Sequence, residues 1–227
     1  VEYVEIARAE SERGELVLRE RRSEAGSSAL ELRANGVFVM DTLEVSTEQA
    51  LASGALATVD DPRAVFVGGL GLGFTMHEVL ADSRVEKVAV VEIEQALVDW
   101  MRDGTIPHGP AMLADERVTI VVADVAVALA EAAPASYDLV LLDVDNGPGY
   151  LVHEVNAALY EEPFLRAARR ALRPGGVLAV WSAADSPELA EQLRAAFGNV
   201  QGQAHDVLLQ DRDEQYWLFV SRVTSEA

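Results

Sequence analysis

The sequence predicts an α/β protein built on a mostly parallel sheet, with a small N-terminal β-hairpin region before it and a C-terminal antiparallel pair closing it. Three observations carry this. From Ala64 onward, apolar β-branched runs alternate with helical stretches, the pattern of parallel strands covered on both faces. A glycine-rich turn, Gly68-Gly69-Leu70-Gly71-Leu72-Gly73, follows the first of those runs. From Val1 to about Leu43 the chain instead shows only short extended segments.

Taken in order, Val1–Ala9, Gly14–Glu20, Ala29–Ala34 and Val37–Asp41 read as strands. Asn35-Gly36, between the last two, supplies the positive φ angles of a tight hairpin turn. Ser46 or Thr47 is placed to cap a helix through Glu48, Leu51 and Leu56, which Asp60-Asp61-Pro62 ends. Ala64–Val67 reads as a buried strand and Phe74–Leu80 as the helix beyond the glycines. Lys87–Val91 is a second strand ending at Glu92, with a helix through Ala96–Met101. Val118–Val122 ends before Asp124, and Asp138–Leu142 ends at Asp143. A helix over Tyr160–Leu172 stops at Arg173-Pro174-Gly175-Gly176; Val177–Trp181 is a further strand and Pro187–Phe197 a further helix. Val207–Gln210 and Tyr216–Ser221 form the closing antiparallel pair. The expected division is residues 1–60 for the hairpin region with its connecting helix, and 61–227 for the sheet domain.

Composition narrows the function. The 227 residues are 50% hydrophobic and 25% charged, as in ordinary globular proteins, and the few aromatics imply an aliphatic core. The formal net charge of -20 repels nucleic-acid backbones and anionic membranes, so the expected partners are cationic or neutral small molecules. The densest basic groups, Arg19 with Arg21 and Arg22, and Arg169 with Arg170 and Arg173, read as solvated surface. The absence of cysteine excludes disulfides, thiolate metal sites and cysteine nucleophiles. No long uncharged apolar run or targeting pattern stands out, and the expected compartment is cytoplasmic. His77 and His108 lack metal-ligand spacing and no Ser-His-Asp elbow is visible, so no metal is expected and hydrolase chemistry is set aside.

In a sheet of this kind the ligand lies at the carboxyl ends of the strands, near the switch in strand order. Gly69, Gly71 and Gly73 let backbone approach a ligand and open a helix N-terminus, although a dinucleotide-binding loop would look the same. Glu92, about twenty residues on, can accept two hydrogen bonds from vicinal ribose hydroxyls. Asp124 is placed to accept from an adenine amino group, or else to cap the next helix. Asp143-Val144-Asp145-Asn146-Gly147-Pro148-Gly149-Tyr150 follows the fourth strand. Its acids suggest amine binding or proton abstraction by Asp143, with Asp145 and Tyr150 shaping the substrate pocket. The plainer reading is a turn in which Asp145 and Asn146 satisfy local backbone. His153 reads as structural.

Together these segments resemble the spermidine synthase-like (polyamine aminopropyltransferase-like) group of Rossmann-like class I methyltransferase folds. The resemblance rests on Leu30–Thr42, Val67–Leu80, Val90-Val91-Glu92-Ile93-Glu94, Ala123-Asp124, Asp138–Asp143 and Leu172–Gly176. It implies that Glu92 holds the ribose of an S-adenosyl cofactor, Asp124 its adenine, and Asp143 the attacking amine or its proton. It also implies a homodimer paired through the N-terminal hairpins. Three departures matter. Aminopropyltransferases usually carry G-G-G-D-G-G at the first loop, and Leu72 stands at the acid's place. Their Tyr-His-Glu segment corresponds to Thr47-Glu48-Gln49, and their D-S-S-D-P loop to Asp143-Val144-Asp145-Asn146. The leading expectation is therefore methyl transfer from S-adenosylmethionine to a small molecule. Aminopropyl transfer from decarboxylated S-adenosylmethionine stands second, and a non-catalytic S-adenosyl-ligand-binding or assembly protein third.

Overall fold

The computed structural model describes residues 1–24, 26–148 and 151–224. Four strands, β1 (Glu2–Ser11), β2 (Gly14–Arg22), β3 (Ser28–Ala34) and β4 (Val37–Asp41), form an antiparallel meander in chain order. Asn35 and Gly36 have φ of 51° and 77°, so the β3–β4 turn has the geometry expected of Asn-Gly. Helix α1 (Ser46–Ala57) follows, but neither expected hydroxyl caps it. The Ser46 hydroxyl instead donates to Glu44, and Thr47 is buried, its Oγ1 accepting from Trp181 Nε1 at 3.1 Å.

The second sheet is built from β5 (Ala64–Gly68), α2 (Phe74–Ala81), β6 (Lys87–Glu92), α3 (Gln95–Asp103), α4 (Gly109–Leu113), β7 (Val118–Val122), α5 (Val125–Glu131) and β8 (Tyr137–Leu142). After a 3₁₀ turn (Glu154–Tyr160) come α6 (Glu162–Ala171), β9 (Leu172–Ser182), α7 (Pro187–Phe197), β10 (Gln201–Leu209) and β11 (Arg212–Arg222). The strand order is β10-β11-β9-β8-β5-β6-β7. The five strands from β9 to β7 are parallel, while β11 and β10 join antiparallel. The order reverses between β5 and β8. No described helix is long and apolar enough to cross a membrane.

The period-two alternation of a strand decides which side each residue serves. Val65, Val67, Leu139 and Leu141 face one core, which Leu16, Leu18, Leu32 and Met40 of the first sheet complete together with α1, α2 and α3. Phe66, Val140 and Leu142 face the other core, under α5, α6 and α7. Both faces are thus covered, which is why these strands read as continuous apolar runs. At the sheet's edge β7 has no further neighbour, and Val121 and Val122 are 39% and 40% exposed.

Several details differ from the sequence reading. Helix α4 is additional, and α5 is the helix that Asp124 was placed to cap, its extent not given by the sequence. The expected helix from Tyr160 divides into the 3₁₀ turn and α6, with Glu161 between them in extended conformation. Arg173–Gly176 is not a loop before a strand but a bulge within β9, where Leu172 pairs with Tyr137 and Val177 already pairs with Leu139. The arginine clusters are not simply solvated. Arg19 and Arg21 cover the buried Glu31 and Asp41. Arg169 and Arg170 donate to carbonyls of Ala196 and Ala130, and Arg173 grips both oxygens of Asp138 at 2.9 and 2.8 Å.

Asp138 is buried and also accepts the Ala64 backbone N–H at 2.8 Å, tying the starts of β5, β8 and β9 together. Asp138→Ala strands a buried N–H and should lower unfolding free energy by about 1–3 kcal/mol. Chemical denaturation checks this, and an unchanged midpoint would show that the bulge holds without it.

Candidate active site

The parallel strands deliver their carboxyl ends to one side, and a cleft opens there. At the reversal point Asp143 N–H donates to Gly68 O at 2.8 Å and Gly69 N–H to Val91 O at 2.9 Å. A Cβ on Gly69 (φ +93°) would lie 2.1 Å from the Asp143 carbonyl oxygen, so only glycine fits. Gly69, Gly71, Glu92, Asp124, Asp143 and Asp145 all line the cleft. Tyr150 lies outside the described residues. Gly73 is not among the lining residues: it precedes α2 in left-handed conformation, and a Cβ there would meet Met101 and Met112 at 2.9 Å. Its glycine serves the turn. Leu72 is fully buried in the core, its carbonyl bonded to His108 Nε2 at 2.7 Å, so its side chain is no part of the cleft wall.

Glu92 ends β6 and is 8% exposed. Its Oε2 accepts the Leu70 N–H at 2.9 Å and its Oε1 the Glu94 N–H at 2.8 Å, fixing the glycine loop to the strand end. Each oxygen keeps an acceptor direction for a ligand diol. Burial pushes its pKa upward, against the hydrogen bonds that favour the charge. Asp124 combines its two readings, since Oδ1 caps α5 by accepting the Ala126 N–H at 2.7 Å while the residue borders the cleft. Asp145 also lines the cleft, but its oxygens accept from the N–H groups of Asn146, Val152 and His153 and from Asn156 Nδ2. Those bonds make it the organiser of its own loop. Tyr160 adds a bond from its hydroxyl to Val144 O at 2.7 Å.

Asp143 is different. Its Oδ2 accepts one hydrogen bond, from Thr75 Oγ1 at 2.7 Å. Burial pushes its pKa up to about 6, Thr75 opposing. Glu48, on α1, is pushed up to about 8 by burial first and by the Asp143 charge second. Thr47-Glu48-Gln49 entered the sequence reading as a lost segment, so the importance of Glu48 was missed. A glutamate in the first turn of a helix, where acids are ordinary, carries no sign in sequence that it will be buried.

Arg13 was also missed. It sits in the β1–β2 turn and reaches the cleft wall, its Nε 3.4 Å from Glu94 Oε1 and its Nη2 3.4 Å from Asn156 Oδ1. Asn35 Nδ2 holds the Arg13 carbonyl at 3.1 Å, and Asn156 in turn binds Asp145. One guanidinium therefore links the first sheet to both rims of the cleft. Five cleft acids (Glu92, Glu94, Asp124, Asp143 and Asp145) face this one arginine, a field that favours cationic ligands. Among the described residues no group of His, Asp or Glu is arranged to hold a metal. Arg13→Ala should leave folding within about 0.5 kcal/mol of the parent while dissociation of a bound nucleoside speeds up by about three- to tenfold. Surface plasmon resonance measures the rate; no change would reduce Arg13 to a surface pair.

Comparison with known proteins gives a consistent picture. The Spermine/spermidine synthase domain family matches residues 44–207. Putrescine N-methyltransferase 3 of Nicotiana tabacum is 36% identical over 125 residues, 54% of this chain and 31% of that protein. Polyamine aminopropyltransferase 2 of Pseudomonas aeruginosa is 32% identical over 163 residues, 67% of this chain and 44% of that protein. The chain spans less than half the length of these relatives. The crystal structure of spermidine synthase from Thermotoga maritima superposes with a TM-score of 0.82 at 18% identity, covering 98% of this chain and 74% of that one. A spermidine synthase in complex with the transition-state analogue AdoDATO gives 0.83 with the same identity and coverage. The structural likeness shows the fold, and the match over residues 44–207 places the chain in the spermine/spermidine synthase family.

Proposed function

We propose that this chain transfers an alkyl group from an S-adenosyl sulfonium donor to a primary amine of a polyamine. The observation that carries the reading is Asp143, a half-buried acid at the reversal point that opens on an acidic cleft and has one hydroxyl for a partner. When bound, the donor supplies an electrophilic carbon and a thioether leaving group. The chain's own part is orientation and proton handling. The donor set suits the nucleoside: Glu92 for the ribose hydroxyls, Asp124 for the adenine edge, and bare backbone at Gly69 and Gly71, which line the cleft. Asp143 binds the acceptor as ammonium and then takes up or passes on its proton, so the nitrogen lone pair is free to attack. The new N–C bond forms as the C–S bond breaks, and sulfur keeps the electron pair.

Aminopropyl transfer is the better-supported donor choice, because the family match favours it and the Pseudomonas aminopropyltransferase aligns over a larger share of this chain than the methyltransferase does. This revises the leading expectation of methyl transfer. Methyl transfer stands as the second reading, favoured by the Nicotiana relatives. Pairing of two copies through the first sheet is part of the proposal, supported by the free edge strand β1 with Tyr3 and Ile6 at 47% and 42% exposure.

Four outcomes test this. Assayed side by side with putrescine, the decarboxylated donor should yield spermidine; N-methylputrescine from S-adenosylmethionine alone would reverse the donor choice, and neither product would defeat the reading. Glu92→Ala should weaken binding of methylthioadenosine by about 1.5–3 kcal/mol in calorimetry. Asp143→Asn should fold and bind nucleoside normally but lose at least about a hundredfold in transfer rate. The parent rate should fall as pH drops through about 6, where Asp143 gains its proton.

A further inference from the structure

Glu48 is 7% exposed, on a helix packed against β8 and β9. Its Oε2 accepts from Thr47 Oγ1 at 3.1 Å, and that hydroxyl is held by Trp181 Nε1. Asp143 likewise has only the Thr75 hydroxyl. Among the described residues neither acid makes an ion pair, and each has a hydroxyl as its side-chain partner. The charges that face Glu48 are negative: Asp143 at the end of β8 and Glu44 before α1. Tyr216 on β11 stands within the reach of Glu48, Glu44 and Asp41, with its ring edge-on to Trp181 at 4.8 Å between centroids. From α2 comes Thr75, while His77 is exposed. From β10, His205 lines a surface pocket together with Ala50 and Gly54 of α1. Glu48 is buried on the helix that packs against β8, and Asp143 is half-buried at the end of β8; two such carboxyl groups without a counter-ion resist ionising together, so the pair holds a proton to higher pH than free acids do. What the arrangement lacks is a cation.

Resting on the amine-transfer reading above, we propose that Glu48 is the second anion of the acceptor site and surrenders its proton to solvent when a primary ammonium binds beside Asp143. Glu48 does not line the cleft, so it acts through Asp143 as a positioning residue. An ammonium compensates the second charge, and a neutral hydroxyl nucleophile does not. The pair thereby selects amines and couples their entry to proton release.

The test is calorimetry of putrescine binding, with methylthioadenosine present, in buffers of different ionisation enthalpy. At about pH 7.5 the parent should release a substantial fraction of one proton per amine, and Glu48→Gln almost none. Above about pH 8 the variant should bind putrescine at least about fivefold more weakly, and at about pH 6 within about twofold. Glu48→Asp should restore the release. If Glu48→Gln does not fold, Thr47→Val serves, because removing the hydroxyl that steadies ionised Glu48 should move proton release to higher pH. Melting temperature against pH gives an arm independent of amine. Glu48 has a folded pKa above its unfolded value, so its contribution is full below about 4.5 and is lost as pH rises through about 8. The parent should therefore lose stability over that window and Glu48→Gln should stay flatter. Equal proton release in parent and variant, or superimposable melting profiles, overturns the inference while leaving amine transfer standing. Absence of putrescine binding in both proteins overturns the amine reading, and this inference with it.

Discussion

The close passage of β5 and β8 as they leave the sheet sets every other distance in the site. Gly68 and Asp143 are joined by a backbone hydrogen bond, and the next residue, Gly69, comes so near the Asp143 carbonyl that no Cβ fits. From that point one chain turns toward α2 and the other toward the Asp145 loop, and their divergence makes the cleft. Glu92 then ties the turning loop to β6 through the Leu70 N–H. The glycine loop, Glu92 and Asp143 thus share one hydrogen-bonded frame, and the shape of the cleft is fixed by backbone rather than by long side chains.

The acids divide by how many bonds they already make. Asp145 spends its carboxylate on its own loop, Asp138 on the opposite end of the sheet, and Asp124 shares itself between a helix cap and the cleft. Asp143 and Glu48, each with a single hydroxyl, are the ones left with capacity. A residue rich in local partners stabilises a shape; one buried with few partners stores electrostatic free energy that a ligand can release.

The parallel strands were legible because a strand covered on both faces must be apolar throughout, and the strand-end acids because each run stops at one. Asn35-Gly36 marked its turn through the φ angles only such residues adopt easily. Helix α5 was illegible since Val125–Glu131 continues the valine-alanine texture of β7, and Asp124 alone marks the boundary. The hairpin β10–β11 runs longer than its apolar core because Gln201–His205 pairs through backbone alone. Glu48 and Arg13 were missed for a shared reason: their neighbours lie far away in the chain, on β8 and after β6, and burial or reach created by tertiary packing leaves no local pattern.

The open edge at β7 gives the acidic surplus a colloidal meaning. An uncovered strand with half-exposed valines is a template on which another copy can zip, and the formal charge of -20 opposes association at that edge. That guard is long-ranged and fragile. Concentrated salt screens it, and acidification discharges it, while the edge itself stays unchanged. Storage conditions, rather than the fold's intrinsic stability, then decide whether solutions of this protein stay clear.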